Sequence, residues 1–164
     1  LKTIFSGKGG LMILIAHRGN INGPNENLEN DPKYIVQAVD KGFDVEVDIW
    51  YTSDGLFLGH DNPQYKIEKD FLHTYKDKFW VHCKNLEAMR YLRHDDLKNG
   101  SVELNYFGHD NDEYVLTSKN YLFCKPTKDL DKNCVLVMPE FYNYTWSNEE
   151  CLAILTDFPE NYKE

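Results

Sequence analysis

Seven short apolar runs, each closing on a polar or ionisable residue, constrain this chain more than any other feature. They span residues 12–16, 44–50, 79–83, 102–107, 121–124, 134–138 and 153–155. Each has the length and the β-branched or aromatic content of a buried strand. Helices or long crossovers separate them, which favours a mainly parallel sheet. Asp31-Pro32 opens a helix with a capping residue followed by proline, and Gly42 ends it. A second helix is expected over 85–93, with Leu86, Met89 and Leu92 along one side. Ser53-Asp54-Gly55 is a turn leading into a short strand extension at 56–58, and residues 64–78 show no clear pattern. The expected fold class is α/β, as a small (β/α) TIM-type barrel, full or incomplete, formed by residues 12–164 as one domain. Residues 1–11 read as a tag or an upstream extension ahead of Met12.

A barrel would gather the strand ends on one rim, where such folds place their chemistry. The rim residues would be His17, Glu46 and Asp48, His82 and Lys84, His109 and Asp110, Glu140, and Asp157. Glu46 and Asp48 stand out among them. Period-two spacing points both side chains to one face of a strand. Two carboxylates aimed at one point are costly unless a cation sits with them. With His17 and His60 close by in the sequence, the set suggests a metal-assisted hydrolytic site.

Composition narrows the classes. The net charge of −9 argues against broad contact with nucleic acid or with anionic membranes. It leaves room for a small phosphate substrate, because a local metal can reverse the field in a pocket. No apolar run approaches the roughly 20 residues a membrane-spanning helix requires. Cys83, Cys124, Cys134 and Cys151 form no Cys-x-x-Cys pair and read as buried free thiols, which favours a reducing, cytoplasmic setting.

Taken together, His17-Arg18-Gly19, Glu46-Val47-Asp48, Thr52-Ser53-Asp54-Gly55 and His60-Asp61 resemble the glycerophosphodiester phosphodiesterase family, within the phospholipase C-like phosphodiesterase barrels. The resemblance covers about residues 12–63. It implies that His17 and His60 act as general acid and general base, and that Glu46 and Asp48 bind a divalent cation, usually Mg²⁺ or Ca²⁺. The chain departs from the family in two places. Pro24-Asn25-Glu26-Asn27 stands where Pro-Glu-Asn-Thr is usual, and Glu29-Asn30 fits the family spacing better. The third ligand is usually the Glu of a Glu-x-Lys, but here the position reads His82-Cys83-Lys84. His82 would then be the third ligand, which shifts preference toward Mn²⁺ or Zn²⁺. Arg18, Lys84, His109 and Glu140 are the candidates for holding the phosphate or the rest of the substrate.

Three functions remain open at this point. The first is a metal-dependent phosphodiesterase acting on a small or lipid-derived phosphodiester. The second is a lyase that releases a cyclic phosphate. The third is a phosphate-binding module without turnover, in which Glu46 and Asp48 serve as ion-pair partners of Arg18 or Lys84.

Overall fold

The computed structural model describes residues 12–110, 112–126, 130–142 and 151–163, so the extension expected at 1–11 lies outside the described residues. In chain order the elements are β1 (Ile13–His17), α1 (Pro32–Asp40), β2 (Asp44–Thr52), β3 (Gly55–Leu58), β4 (Tyr65–Ile67), α2 (Lys69–Thr74) and β5 (Phe79–Cys83). They continue with α3 (Leu86–Asn99), β6 (Asn105–Phe107), β7 (Tyr114–Leu116), β8 (Leu122–Cys124), β9 (Cys134–Val137) and β10 (Ala153–Thr156).

Parallel ladders link the strands in the order β6-β5-β2-β1-β10-β9-β8. The first strand of the chain therefore lies beside the last, and the sheet curls. The β2–β3–β4 meander extends it antiparallel on one side, and β7 returns antiparallel on β8. Among the described residues no ladder joins β6 to β8. Ser118 sits there instead: its N–H donates to the Tyr106 carbonyl at 2.8 Å, and its Oγ accepts from the Tyr106 N–H at 2.9 Å.

The architecture is thus mixed α/β with one curled, mostly parallel sheet. A complete ring of alternating strands and helices is not what the described residues form. Strand and helix alternate only as far as β6. Among the described residues beyond it stand the hairpin strand β7 and short 3-10 turns at Pro139–Phe141 and Pro159–Tyr162, and no further α-helix. Six residues separate β6 from β7, five separate β7 from β8 and nine separate the parallel strands β8 and β9, too few for a packed crossover helix.

Strand β2 shows how the sequence sets the two faces. Val45, Val47 and Ile49 are fully buried against Ile35 and Ala38 of α1 and Ala88 and Leu92 of α3. Burying each such side chain contributes about 1.5–3 kcal/mol before entropy is counted. The alternate residues Asp44, Glu46 and Asp48 take the inner face. Asp31 caps α1 by accepting from Lys33 N at 2.7 Å, with Pro32 at its first position. Asn85 caps α3 through Ala88 N at 3.1 Å and also bonds the Tyr51 backbone at both N and O, which fixes the helix to the end of β2.

Candidate functional site

The inner face of β2 carries three carboxylates, and their partners separate them. Asp44, at the start of the strand, is satisfied: Trp80 Nε1 donates to it at 3.0 Å and Lys78 Nζ at 2.9 Å. Glu46 and Asp48, nearer the strand end, are 3% and 0% exposed. On the neighbouring strand His82 stands in register with Asp48. One ligand atom from each of Glu46, Asp48 and His82 lies within 4.8 Å of the others, and all three residues are buried.

The donor set fits a metal ion. Asp48 Oδ1 is buried with no hydrogen-bond partner. His82 Nδ1 lies 3.0 Å from it, close enough for an ion pair but not aligned as a hydrogen bond, and 3.6 Å from Glu46 Oε1. Two carboxylate oxygens and an imidazole nitrogen thus converge on one small volume, the arrangement a divalent cation needs. Burial pushes the His82 imidazole down, but Asp48 and Glu46 outweigh it and lift it to about 9. Burial likewise opposes ionisation of Asp48, yet His82, Arg18 and Lys84 hold its carboxyl well below the usual range. The His82 ring stacks on both Phe107 and His109, with centroids 5.0 and 4.7 Å away and planes within 8° and 7° of parallel. Its Nε2 is buried without a partner.

A second layer holds the carboxylates in place. Asn30, fully buried at φ 63°, donates from Nδ2 to Asp48 Oδ2 at 2.9 Å and accepts from Asp48 N at the same distance. Arg18, also left-handed at φ 53°, sends its guanidinium to Glu29 at 2.9 Å and Asp48 at 3.2 Å. Its backbone N–H donates to the Glu46 carbonyl at 3.0 Å. Two strained non-glycine residues flanking one carboxylate cluster are the kind of stored strain that gathers at functional sites. Gly19 follows Arg18 at φ 89°, and a Cβ there would press on Tyr34 and the Ile35 backbone.

The histidines occupy the rim. His17 ends β1, and its Nδ1 lies 2.8 Å from Asp157 Oδ1, just past β10. Burial lowers the His17 pKa, but Asp157 and the Glu46 charge more than offset this, so the net shift is upward. The Asp157 carboxyl is lowered in turn: His17, Asn20 and Arg18 outweigh its burial. His60 follows β3, with Nδ1 2.7 Å from Asp61 and a side chain 38% exposed. His109 is pushed down by burial and by the cations of His82 and Lys84. Lys84 Nζ lies 3.6 Å from Asp48 Oδ1.

One cavity of about 290 Å³ joins most of these groups: His17, Arg18, Glu46, His60, His82, Lys84 and His109 all line it. Asp48 lies behind its wall. Glu140 does not line it. Instead Glu140 Oε1 accepts from Thr156 Oγ1 at 2.7 Å and from Asp157 N at 3.0 Å, so it secures the end of β10 rather than facing the cavity.

Asp157, expected on the rim, gains its role here, and Asn20 and Asp44 emerge only in three dimensions. Asp157 orients His17, although the sequence reads equally well as a cap before Pro159. Asn20, fully buried, donates to both Glu29 and Asp157 at 2.9 and 2.8 Å. It lies in a Gly/Asn-rich loop, where polarity gives no hint of burial. Asp44 shares the acidic face but is spent on Trp80 and Lys78. Among the described residues no helix is long and apolar enough to cross a membrane, and all four cysteines are buried. Comparison of the chain with family models, curated proteins and solved structures finds no match.

Proposed function

We propose that this chain is a metal-dependent phosphodiesterase that cleaves a small, glycerophosphodiester-like substrate. In this reading it is a shortened relative of the glycerophosphodiester phosphodiesterases, and its curled sheet is an incomplete form of their barrel. One observation carries the proposal. A buried Glu46–Asp48–His82 cluster able to hold a metal opens onto the same cavity as two histidines, an arginine and a lysine.

Cleavage by water forms one P–O bond and breaks another, giving a phosphomonoester and a free alcohol. The water loses a proton and the leaving oxygen gains one. His17 suits the acid role: Asp157 holds Nδ1, leaving Nε2 for the substrate, and the raised pKa keeps the ring protonated. His60, on the exposed rim, is placed to take the proton from water. Arg18 and Lys84 share the charge on the phosphate oxygens. A divalent cation on Glu46, Asp48 and His82 supplies Lewis-acid charge neutralisation.

Charge balance supports a metal here. Glu29, Glu46 and Asp48 face Arg18, Lys84 and a protonated His82, so the metal-free cluster is neutral. Exchanging the His82 proton for a divalent ion leaves one net positive charge, which matches a phosphodiester monoanion. The same count allows a second reading, in which the buried imidazolium alone stabilises the phosphate.

Metal-stripped protein should be assayed on bis(p-nitrophenyl) phosphate and glycerophosphocholine with Mg²⁺, Ca²⁺, Mn²⁺ or Zn²⁺ added back singly. The expected result is turnover that depends on the metal, favours Mn²⁺ or Zn²⁺, disappears in Glu46→Ala, and falls about 10²–10⁴-fold in His17→Ala. Full activity after stripping would select the imidazolium reading. A cyclic phosphate that accumulates would make the enzyme a lyase. No turnover under any condition would leave a binding module.

A further inference from the structure

We infer that one alcohol of the phosphodiester is apolar and of about ring size, and that it is bound inside the sheet against β8, β9 and β10. This rests on the phosphodiesterase reading and specifies its substrate class. The cavity is divided. Its polar half comes from β1, β2, the β3 end and β5. Its other side carries an apolar wall of Phe123 on β8, Val137 and Met138 at the end of β9, Leu155 on β10 and Val115 on β7, and Asp110, Asp112, Glu113 and Lys125 from the ends of β6, β7 and β8 line the cavity as well. Sheet order keeps these halves apart, because β5, β2 and β1 are contiguous, as are β10, β9 and β8.

Register sets the depth. Ile15 pairs with Leu155 and Ala16 with Thr156, which puts His17 level with Asp157 and Leu155 one inward-facing position lower. The apolar wall therefore lies beneath the acid–base layer, in line with the sheet interior. Such interiors are normally filled by their own side chains. Here a cavity remains: where β6 and β8 do not pair, the Phe107 and Phe123 rings stack with centroids 4.5 Å apart, and both line it. An apolar wall holds water poorly, and a cavity of about 150 Å³ already accommodates benzene. A space of about 290 Å³ is enough for a phosphate and one ring. It is too small for a long lipid chain.

Three esters sharing a glycerol arm test this: glyceryl benzyl, glyceryl hexyl and glyceryl 2-hydroxyethyl phosphate. Their leaving alcohols differ little in reactivity, so kcat/KM reports binding of the variable arm. The benzyl or hexyl ester should exceed the hydroxyethyl ester by about 10- to 100-fold. A benzyl lead over hexyl assigns a ring, and parity assigns a short chain. Val137→Phe, which narrows the apolar wall, should raise KM for the benzyl ester more than for the hydroxyethyl ester. Equal kcat/KM for all three esters in the unmodified protein would overturn the inference while keeping the phosphodiesterase. If none is hydrolysed, the phosphodiesterase reading fails, and calorimetric binding of the same esters still decides: tighter benzyl or hexyl binding upholds the apolar arm, and equal binding overturns it.

Discussion

Asp48 holds together the metal cluster, the guanidinium of Arg18 and the buried amide of Asn30, so its environment sets the chemistry of the site. Its Oδ2 is occupied by Asn30 and Arg18, whereas Oδ1 faces only cations. A metal arriving there must compete with the proton on His82, which those same carboxylates raise to about 9. Binding then releases one proton below that pH. Metal affinity, measured by calorimetry in two buffers of different ionisation enthalpy, should rise about tenfold per pH unit from 6.5 toward 9 and then level off. A flat profile would mean His82 stays outside the coordination shell. The pair at the rim makes a separate prediction. Asp157 is what lifts His17 against its burial, so Asp157→Asn should lower the His17 pKa, seen as a titration shift of the ring Cε1–H by NMR. If His17 is the general acid, the alkaline limb of the rate profile moves to lower pH by the same amount.

At the scale of elements, the strand ends do the positioning. Glu46, Asp48 and His82 occupy strand interiors and inherit the rigidity of the β2–β5 ladder. His60 depends on a turn. Gly59 precedes it at φ 146°, its N–H donates to the Asp48 carbonyl at 3.2 Å, and its own carbonyl accepts from Trp50 Nε1 at 2.7 Å. A Cβ on Gly59 would collide with the Asn62 carbonyl. Gly59→Ala should therefore cost about 1–3 kcal/mol in urea unfolding and displace His60, lowering kcat far more than metal affinity. Equal losses in both would show that the turn supports the metal cluster as well. Much of this layer was legible beforehand. The Asp-Pro start of α1, the alternation in β2 and the Ser-Asp-Gly turn are local signals, and these elements form where they are expected. Strand β4 and helix α2 were not, because the 64–78 stretch lacks a clean period. Helix α3 runs to Asn99 rather than 93 because charged residues after Leu92 continue a solvated face until Gly100 stops it. Strand β7 escaped because its residues are largely exposed and carry little apolar contrast.

For the molecule as a whole, β10 decides how the parts meet. It lies between β1 and β9, so the last strand of the chain joins the half that bears the carboxylates to the half that bears the apolar wall. Nothing local in the sequence marks that closure, which is why Asp157 reads there as a rim residue with no assigned partner, while the two-apart acidic pair could be recognised from spacing alone. The same closure buries charge, and that charge sets a pH window for stability. Asp48 and Asp157 have folded pKa values below 3.8, so their contribution is complete above that value and lost as the pH falls through their lowered pKa values. His82 runs the other way. Its pKa rises from 6.5 to about 9, so its contribution is complete below pH 6.5 and is lost as the pH climbs through 9. His17, also raised, adds in the same sense. Metal-free protein should thus be most stable between about pH 4 and 6.5 and should lose melting temperature steadily toward pH 9. Metal reverses the slope, because it replaces the proton that alkaline pH removes, so the rise in Tm on adding Mn²⁺ or Zn²⁺ should be largest at the alkaline end. His82→Gln removes the titrating group but keeps a similar volume beside Phe107 and His109, so it should flatten the alkaline decline in the metal-free protein. If the decline survives that substitution unchanged, its source is a group other than the imidazole between the two carboxylates.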